Sequence, residues 1–156
     1  MDTYSLFKIL HLLGVALFLG NIIVTGWWKG MADRHGDPRV VAFAQRQVTL
    51  TDFIFTFGGI LIIVAGGYGM AYAGGPELST GFVALGQGLF YAAGVIWVGI
   101  LIPVQWVQAR MAKAFADGGP IPTRYWSLGR IWLAAGLTAT VLPVMSLMVM
   151  VGKVSL

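Results

Sequence analysis

Four apolar runs, at about residues 5–28, 53–73, 82–107 and 126–151, constrain this chain more than any other feature of it. Each reaches the roughly 20 residues needed to cross the hydrocarbon of a bilayer. Lipid offers a backbone amide no hydrogen-bond partner, so a crossing segment must satisfy its amides internally, as a helix does. Only 10% of the residues are charged, against roughly 25% in soluble domains. The expected fold is therefore all-α: a polytopic membrane protein, one four-transmembrane-helix bundle over residues 1–156. The first run has no basic stretch before it and no small-residue cleavage site, and it is too long for a signal core, so it is read as a retained span.

The polar segments are short. Residues 29–52 form the longest of them, and within it Asp37-Pro38 reads as a helix N-cap followed by proline at the first helical position. A cytoplasmic amphipathic helix over about 38–51 is expected, lying on the membrane or running straight into the second span. That span is rich in glycine, at Gly58, Gly59, Gly66, Gly67 and Gly69, the composition of close helix contact in lipid. Pro103 predicts a kink near the end of the third span. Small-x-x-x-small patterns at Ala16/Gly20, Gly88/Ala92 and Ala135/Ala139 predict tight crossings or a homodimer face.

Loop charges predict orientation. Lys29, Arg34, Arg39 and Arg46 lie in or beside the first loop, and Arg110, Lys113, Arg124 and Arg130 in or beside the third, while the second loop carries no Lys or Arg. The positive-inside rule puts loops one and three in the cytoplasm and both termini outside, against which stand only Lys8 and Lys153. The expected location is a bacterial inner membrane with periplasmic termini. The net charge of +4 is thus assigned to topology, with no nucleic acid as partner. Anionic lipid headgroups are the expected partners of the cytoplasmic rim of Arg39, Arg46, Arg110, Lys113, Arg124 and Arg130. Asp52, on the same rim, is expected to cap the second span and pair with one of these arginines.

Chemistry is sparse. The chain has no cysteine, which excludes disulfides and thiolate sites. No hydrolase triad, phosphate loop or zinc spacing is found. His11 is the one histidine inside a span, one turn after Lys8. An ionisable residue within a membrane helix is a candidate functional group by default, and a neutral imidazole can ligate haem iron or copper or relay protons. The alternative is a histidine that only hydrogen-bonds a neighbouring helix. At the expected outer depth the four spans also bring Tyr68, Met70, Tyr72, Gln87, Tyr91, Met145, Met148 and Met150. Methionines at that depth allow a His/Met haem pair or a soft copper site of His11, Met145 and Met148, or simply fill gaps. On the third span Gln87 and Gln105 are five helical turns apart and so share a face, flanked by Tyr91 and Gln108. Amides facing lipid are costly, so this stripe is expected to face the bundle or a partner, lining a quinone or porphyrin pocket or bonding between helices.

The segment Lys8-Ile9-Leu10-His11-Leu12-Leu13-Gly14, the following Phe18-Leu19-Gly20-Asn21, the basic loop and the glycine-rich second span resemble the DUF2269 family of predicted integral membrane proteins over nearly the whole chain. His11, Gly14, Phe18 and Gly20 are also similar to the opening of CopD-like copper-resistance membrane domains. Lys8 and His11 resemble the start of HemJ-type protoporphyrinogen oxidases, a likeness that ends after the first span. Taken together these resemblances imply a haem- or copper-associated membrane protein. The reading drawn from them is a b-type haem held by His11, with Lys8 on a propionate and Tyr91 and Gln87 beside it, serving membrane electron transfer with a membrane redox partner or cofactor handling. The competing reading is a non-enzymatic transporter or assembly subunit, copper-handling in one version, with His11 structural.

Overall fold

In a computed structural model, which describes residues 1–154, the chain forms four long helical rods and no strand among the described residues. They are α1 (Thr3–His35), α2 (Pro38–Tyr72), α3 (Gly81–Phe115) and α4 (Thr123–Gly152), all apolar and long enough to cross a membrane. At 1.5 Å per residue each measures about 45–50 Å, against a hydrocarbon core of about 30 Å. Every rod therefore projects beyond the bilayer. The start of α1, the end of α4 and the 73–80 turn lie at one end, called here the terminal end; the other is the basic end.

Local chemistry sets the rod ends. Asp2 caps α1 by accepting the Ser5 N–H at 2.7 Å, and that bond holds its carboxyl below the usual carboxylate range. Gly36, at φ 76°, closes the same helix in the left-handed region that favours glycine. Asp37 accepts the N–H groups of Arg39 and Val40 with Pro38 at the first position, as the Asp-Pro pair predicts.

The amphipathic segment does not lie apart on the membrane: it runs without a break into the second span. The join is a π-helical stretch, Asp52–Phe57. A second π stretch, Trp97–Leu101, lies inside α3 just before Pro103. Proline lacks an N–H and its ring crowds the carbonyl four residues earlier. Widening the preceding turn relieves that crowding, so α3 carries a π insert where a kink was expected.

The rods pair as two hairpins. Along the spans α1 packs on α2 and α3 on α4, and the backbones of the two hairpins come close only toward the basic end. The α1–α2 crossing is built on glycine. A Cβ on Gly66 would sit 2.6 Å from the His11 backbone nitrogen, one on Gly59 would meet the Phe18 Cβ at 3.0 Å, and one on Gly14 would meet the Ile63 nitrogen at 2.8 Å. Gly69 lies against the Phe7 ring. Gly20 and Gly88, from the predicted small-residue patterns, face open space instead, whereas Ala139 is buried.

Burial follows the solvent. The main apolar cluster, Val41, Ala42, Ala112, Phe115 and Tyr125, sits at the basic end, where rods projecting past the lipid meet water. Within the spans Leu13, Leu17, Leu61, Ile102 and Val141 are exposed on the outside of the rods, as lipid-facing side chains gain nothing from burial against each other.

Candidate functional site

At the terminal end the His11 ring lies against α2. Its Nδ1 is 2.8 Å from the Ile63 carbonyl oxygen. A carbonyl only accepts, so Nδ1 carries the proton. In the neutral ring this leaves Nε2 with a free lone pair, the arrangement that second-shell carbonyls impose on metal-ligating histidines. Gly66 and Gly67 make the approach possible, since a Cβ on Gly67 would already touch the ring Nδ1 at 3.4 Å.

His11 lines a cavity of about 460 Å³ between the hairpins, together with Lys8, Tyr68, Gln87, Tyr91, Ser146, Met150 and Lys153. The Tyr68 and Tyr91 hydroxyls, 2.9 Å apart, join the two hairpins here. Ser146 is tied down, donating to the Gly86 carbonyl at 2.8 Å. Of the residues singled out in the sequence, the fold thus brings His11, Lys8, Gln87 and Tyr91 to one cavity. It does not bring Met145 and Met148 there: both are exposed, at 45% and 67%, and neither is on the cavity wall. α4 turns them outward and presents Met150 instead. No group of three His, Asp or Glu residues with metal-site geometry occurs among the described residues.

Below this cavity a larger slot of about 1390 Å³ separates the hairpins. Phe18, Val64, Phe90 and Tyr91 line both spaces, so the two are adjacent and share a wall. Phe18 and Phe90 meet edge-on at 5.7 Å across the gap. The slot is almost wholly apolar until the level of the two π stretches. There the Trp97 indole donates to Asp52 at 3.1 Å and the Trp132 indole donates to the Gln105 carbonyl oxygen at 3.2 Å. Asp52 therefore neither caps a helix nor pairs with an arginine: it lies inside a continuous rod, and the partner opposite it is an indole. Arg110 stacks on Trp106, 3.6 Å from the ring centroid.

The basic end holds a polar network that the sequence reading missed. Lys29 is 1% exposed. Its Nζ donates to Asp33 at 3.1 Å, the one ion pair among the described residues, and to the Tyr125 hydroxyl at 3.0 Å. The Tyr125 hydroxyl donates to Gln45 Oε1 at 3.1 Å, and Gln108 Nε2 donates to the Tyr125 carbonyl at 3.3 Å. Lys29 also lies over the Tyr125 ring, 4.8 Å from its centroid. All four rods meet in this knot. The sequence ends the first span at Trp28 and makes Lys29 a loop charge; α1 continues for two more turns and carries it inward. One signal was available. Gln45 sits four residues after Val41 and three before Val48, on the apolar face of its helix.

The four apolar rods, with lipid-facing side chains along the spans and water-type burial only beyond them, define a four-helix integral membrane protein. The chain belongs to the family described as predicted integral membrane protein (DUF2269), whose model matches residues 5–154. No curated protein and no solved structure matches it significantly.

Proposed function

We propose that this chain is a bacterial inner-membrane protein that holds a b-type haem in the terminal-end cavity through His11, for membrane electron transfer or cofactor handling. The observation that carries the reading is the Nδ1–H bond to the Ile63 carbonyl at 2.8 Å, which leaves Nε2 with a free lone pair on a residue of the cavity wall. The other residues fit. Lys8 and Lys153 supply cations for propionates. The Tyr68 and Tyr91 hydroxyls and the Gln87 amide supply hydrogen bonds, and about 460 Å³ falls in the range of small-molecule sites, roughly 300–1000 Å³. Bound there, haem would supply one-electron redox chemistry, its potential set by the axial ligand and the polarity around it. The chain's own part is to fix the ring tautomer, balance the carboxylates and exclude water with the apolar walls below. The loop charges support the accompanying orientation, with termini and the 73–80 turn periplasmic and the exposed basic rim toward anionic lipid.

Protein purified from cells supplied with haem precursor is expected to show a Soret band that His11→Ala abolishes. A colourless preparation, or a band unchanged in His11→Ala, would overturn the reading. A reporter fused into the 73–80 turn is expected to be inactive if it needs the cytoplasm.

A second reading has one observation in its favour: the same His11–Ile63 bond crosses from α1 to α2 and so also serves helix packing. In that case the protein is a non-enzymatic membrane subunit, and His11→Ala lowers stability with no loss of colour. The copper version is weakened by the outward placement of Met145 and Met148.

A further inference from the structure

We propose that the inner slot is a second binding site, for a long-chain quinone and its quinol, with the ring held at the level of the two π stretches by Gln105 and Asp52. Three independent features converge there. First, the helical register is broken to a π turn in both α2 and α3, at Asp52–Phe57 and Trp97–Leu101, and the Trp97-to-Asp52 bond at 3.1 Å joins the two. Single π turns inside α-helices occur often at functional sites.

Second, Gln105 is 6% exposed and lines the slot. The Trp132 indole can only donate, so the oxygen of the Gln105 amide must face it, which fixes the NH₂ at the other end. That NH₂ has no partner among the described residues. The NH₂ opens on the apolar slot, where a donor left unmade is costly, so its complement in a ligand is an acceptor oxygen. Third, one Asp52 oxygen accepts the Trp97 N–H and the other is open, an acceptor on the facing wall. A carbonyl meets Gln105, and the hydroxyl of the reduced ring meets Asp52.

The remaining walls decide between membrane amphiphiles. The slot itself, about 1390 Å³ and lined almost wholly by apolar side chains, has room for a long chain beneath the Phe18–Phe90 contact. A phospholipid would set its phosphate against the Asp52 carboxylate. A bare acyl chain would leave the Gln105 donor unmatched. An uncharged ring with a long chain matches both groups as the quinol, one hydroxyl oxygen accepting from Gln105 and the other hydroxyl donating to Asp52, while the quinone carbonyl matches Gln105.

The test titrates the detergent-solubilised protein with a decyl-chain benzoquinone and reads tryptophan fluorescence, with Trp97 and Trp132 at the site. Saturable quenching is expected, beyond that of an octyl tryptophan ester in the same micelles. Gln105→Glu keeps the acceptor for Trp132 and removes the donor, so Kd is expected to rise about tenfold, one hydrogen bond's worth. Asp52→Asn is expected to weaken the quinol more than the quinone. His11→Ala is expected to bind the quinone normally, which keeps this site separate from the haem reading. Equal binding by the wild type and Gln105→Glu would overturn the proposal. If Gln105→Glu does not assemble, the wild type alone decides, because decylbenzene binding as tightly as the quinone would equally overturn it.

Discussion

Replacing Gly66 by alanine tests the α1–α2 seat at its tightest point. The added Cβ would stand 2.6 Å from the His11 nitrogen and 2.8 Å from its Cα. Comfortable contact between heavy atoms is about 3.5–4.0 Å, so α1 must retreat by about 1 Å at this level. The obstructing atoms are backbone, and no side-chain rotation relieves them. Overpacking of this kind costs about 1–3 kcal/mol. The same retreat stretches the His11–Ile63 bond, 2.8 Å in the wild type, and an interhelical bond in a membrane contributes roughly 0.6 kcal/mol. Set against the roughly 1 kcal/mol by which a helix favours alanine over glycine, Gly66→Ala is expected to lose about 0.5–2.5 kcal/mol net. Gly20→Ala is the control, since nothing lies within 4 Å of its Cβ position, and alanine is the better helix former. Reversible unfolding of both in mixed micelles of mild detergent and dodecyl sulfate, followed by circular dichroism, gives the comparison. A Gly66→Ala protein as stable as the wild type would refute the reasoning, as would equal weakening by Gly20→Ala.

Other outcomes follow from the same contacts. Tyr125→Phe removes the hydroxyl between Lys29 and Gln45 and leaves both short of a partner, so it is expected to cost about 1–3 kcal/mol in the same unfolding experiment. In haem-free protein labelled with ¹⁵N-histidine, the neutral His11 ring is expected to carry its proton on Nδ1; a proton on Nε2 would break the argument from the Ile63 carbonyl. The Asp2 carboxyl is held low by the Ser5 N–H, so its capping contribution is present above the unfolded carboxylate range and is lost as pH falls through the folded pKa. Amide exchange in the first turn of α1 is therefore expected to speed up in acid, and Asp2→Ala to speed it at neutral pH.

The spans were legible because lipid makes hydropathy nearly sufficient: a long apolar run has no other stable backbone form. The Asp37-Pro38 cap was legible for a local reason, since both residues act within one turn. Three things were not. The exit of α1 past Trp28 was hidden because Lys29 and Asp33 look like loop charges until Tyr125, 96 residues away from Lys29, covers them. The crossing glycines were hard to rank because small-x-x-x-small patterns do not say which face meets a helix; Gly59 and Gly66 are seven apart, with Ile63 between them on that face. The π stretches had no sequence signature except Pro103, which marks the end of one of them. At the candidate site, the shared depth of His11, Lys8, Gln87 and Tyr91 could be read from span direction alone. The methionines could not, because one-residue steps rotate a side chain by about 100° around its helix, and Met150 faces in where Met148 faces out.

The placement of polar groups explains why two hairpins and not a sealed bundle result. A bilayer does little to drive apolar helix faces together, so apart from the Phe18–Phe90 contact the hairpins join where polar groups or water-facing surface make joining favourable. Such joins occur at three levels. The Lys29–Tyr125–Gln45 knot and the apolar cluster beside it tie the basic end. The Trp97–Asp52 bond crosses between α2 and α3 at the π stretches. The Tyr68–Tyr91 pair crosses at the terminal end. Between these ties both walls are apolar, and the space of about 1390 Å³ there must be filled by something as apolar as they are. Evolution toward a packed core would have placed leucines where Gly94, Gly99 and Gly136 line that space. Glycines there leave the space between the walls unfilled, since a Cβ at Gly94 or Gly99 would meet nothing within 4 Å, which is the geometry of a chain that holds a hydrophobic guest.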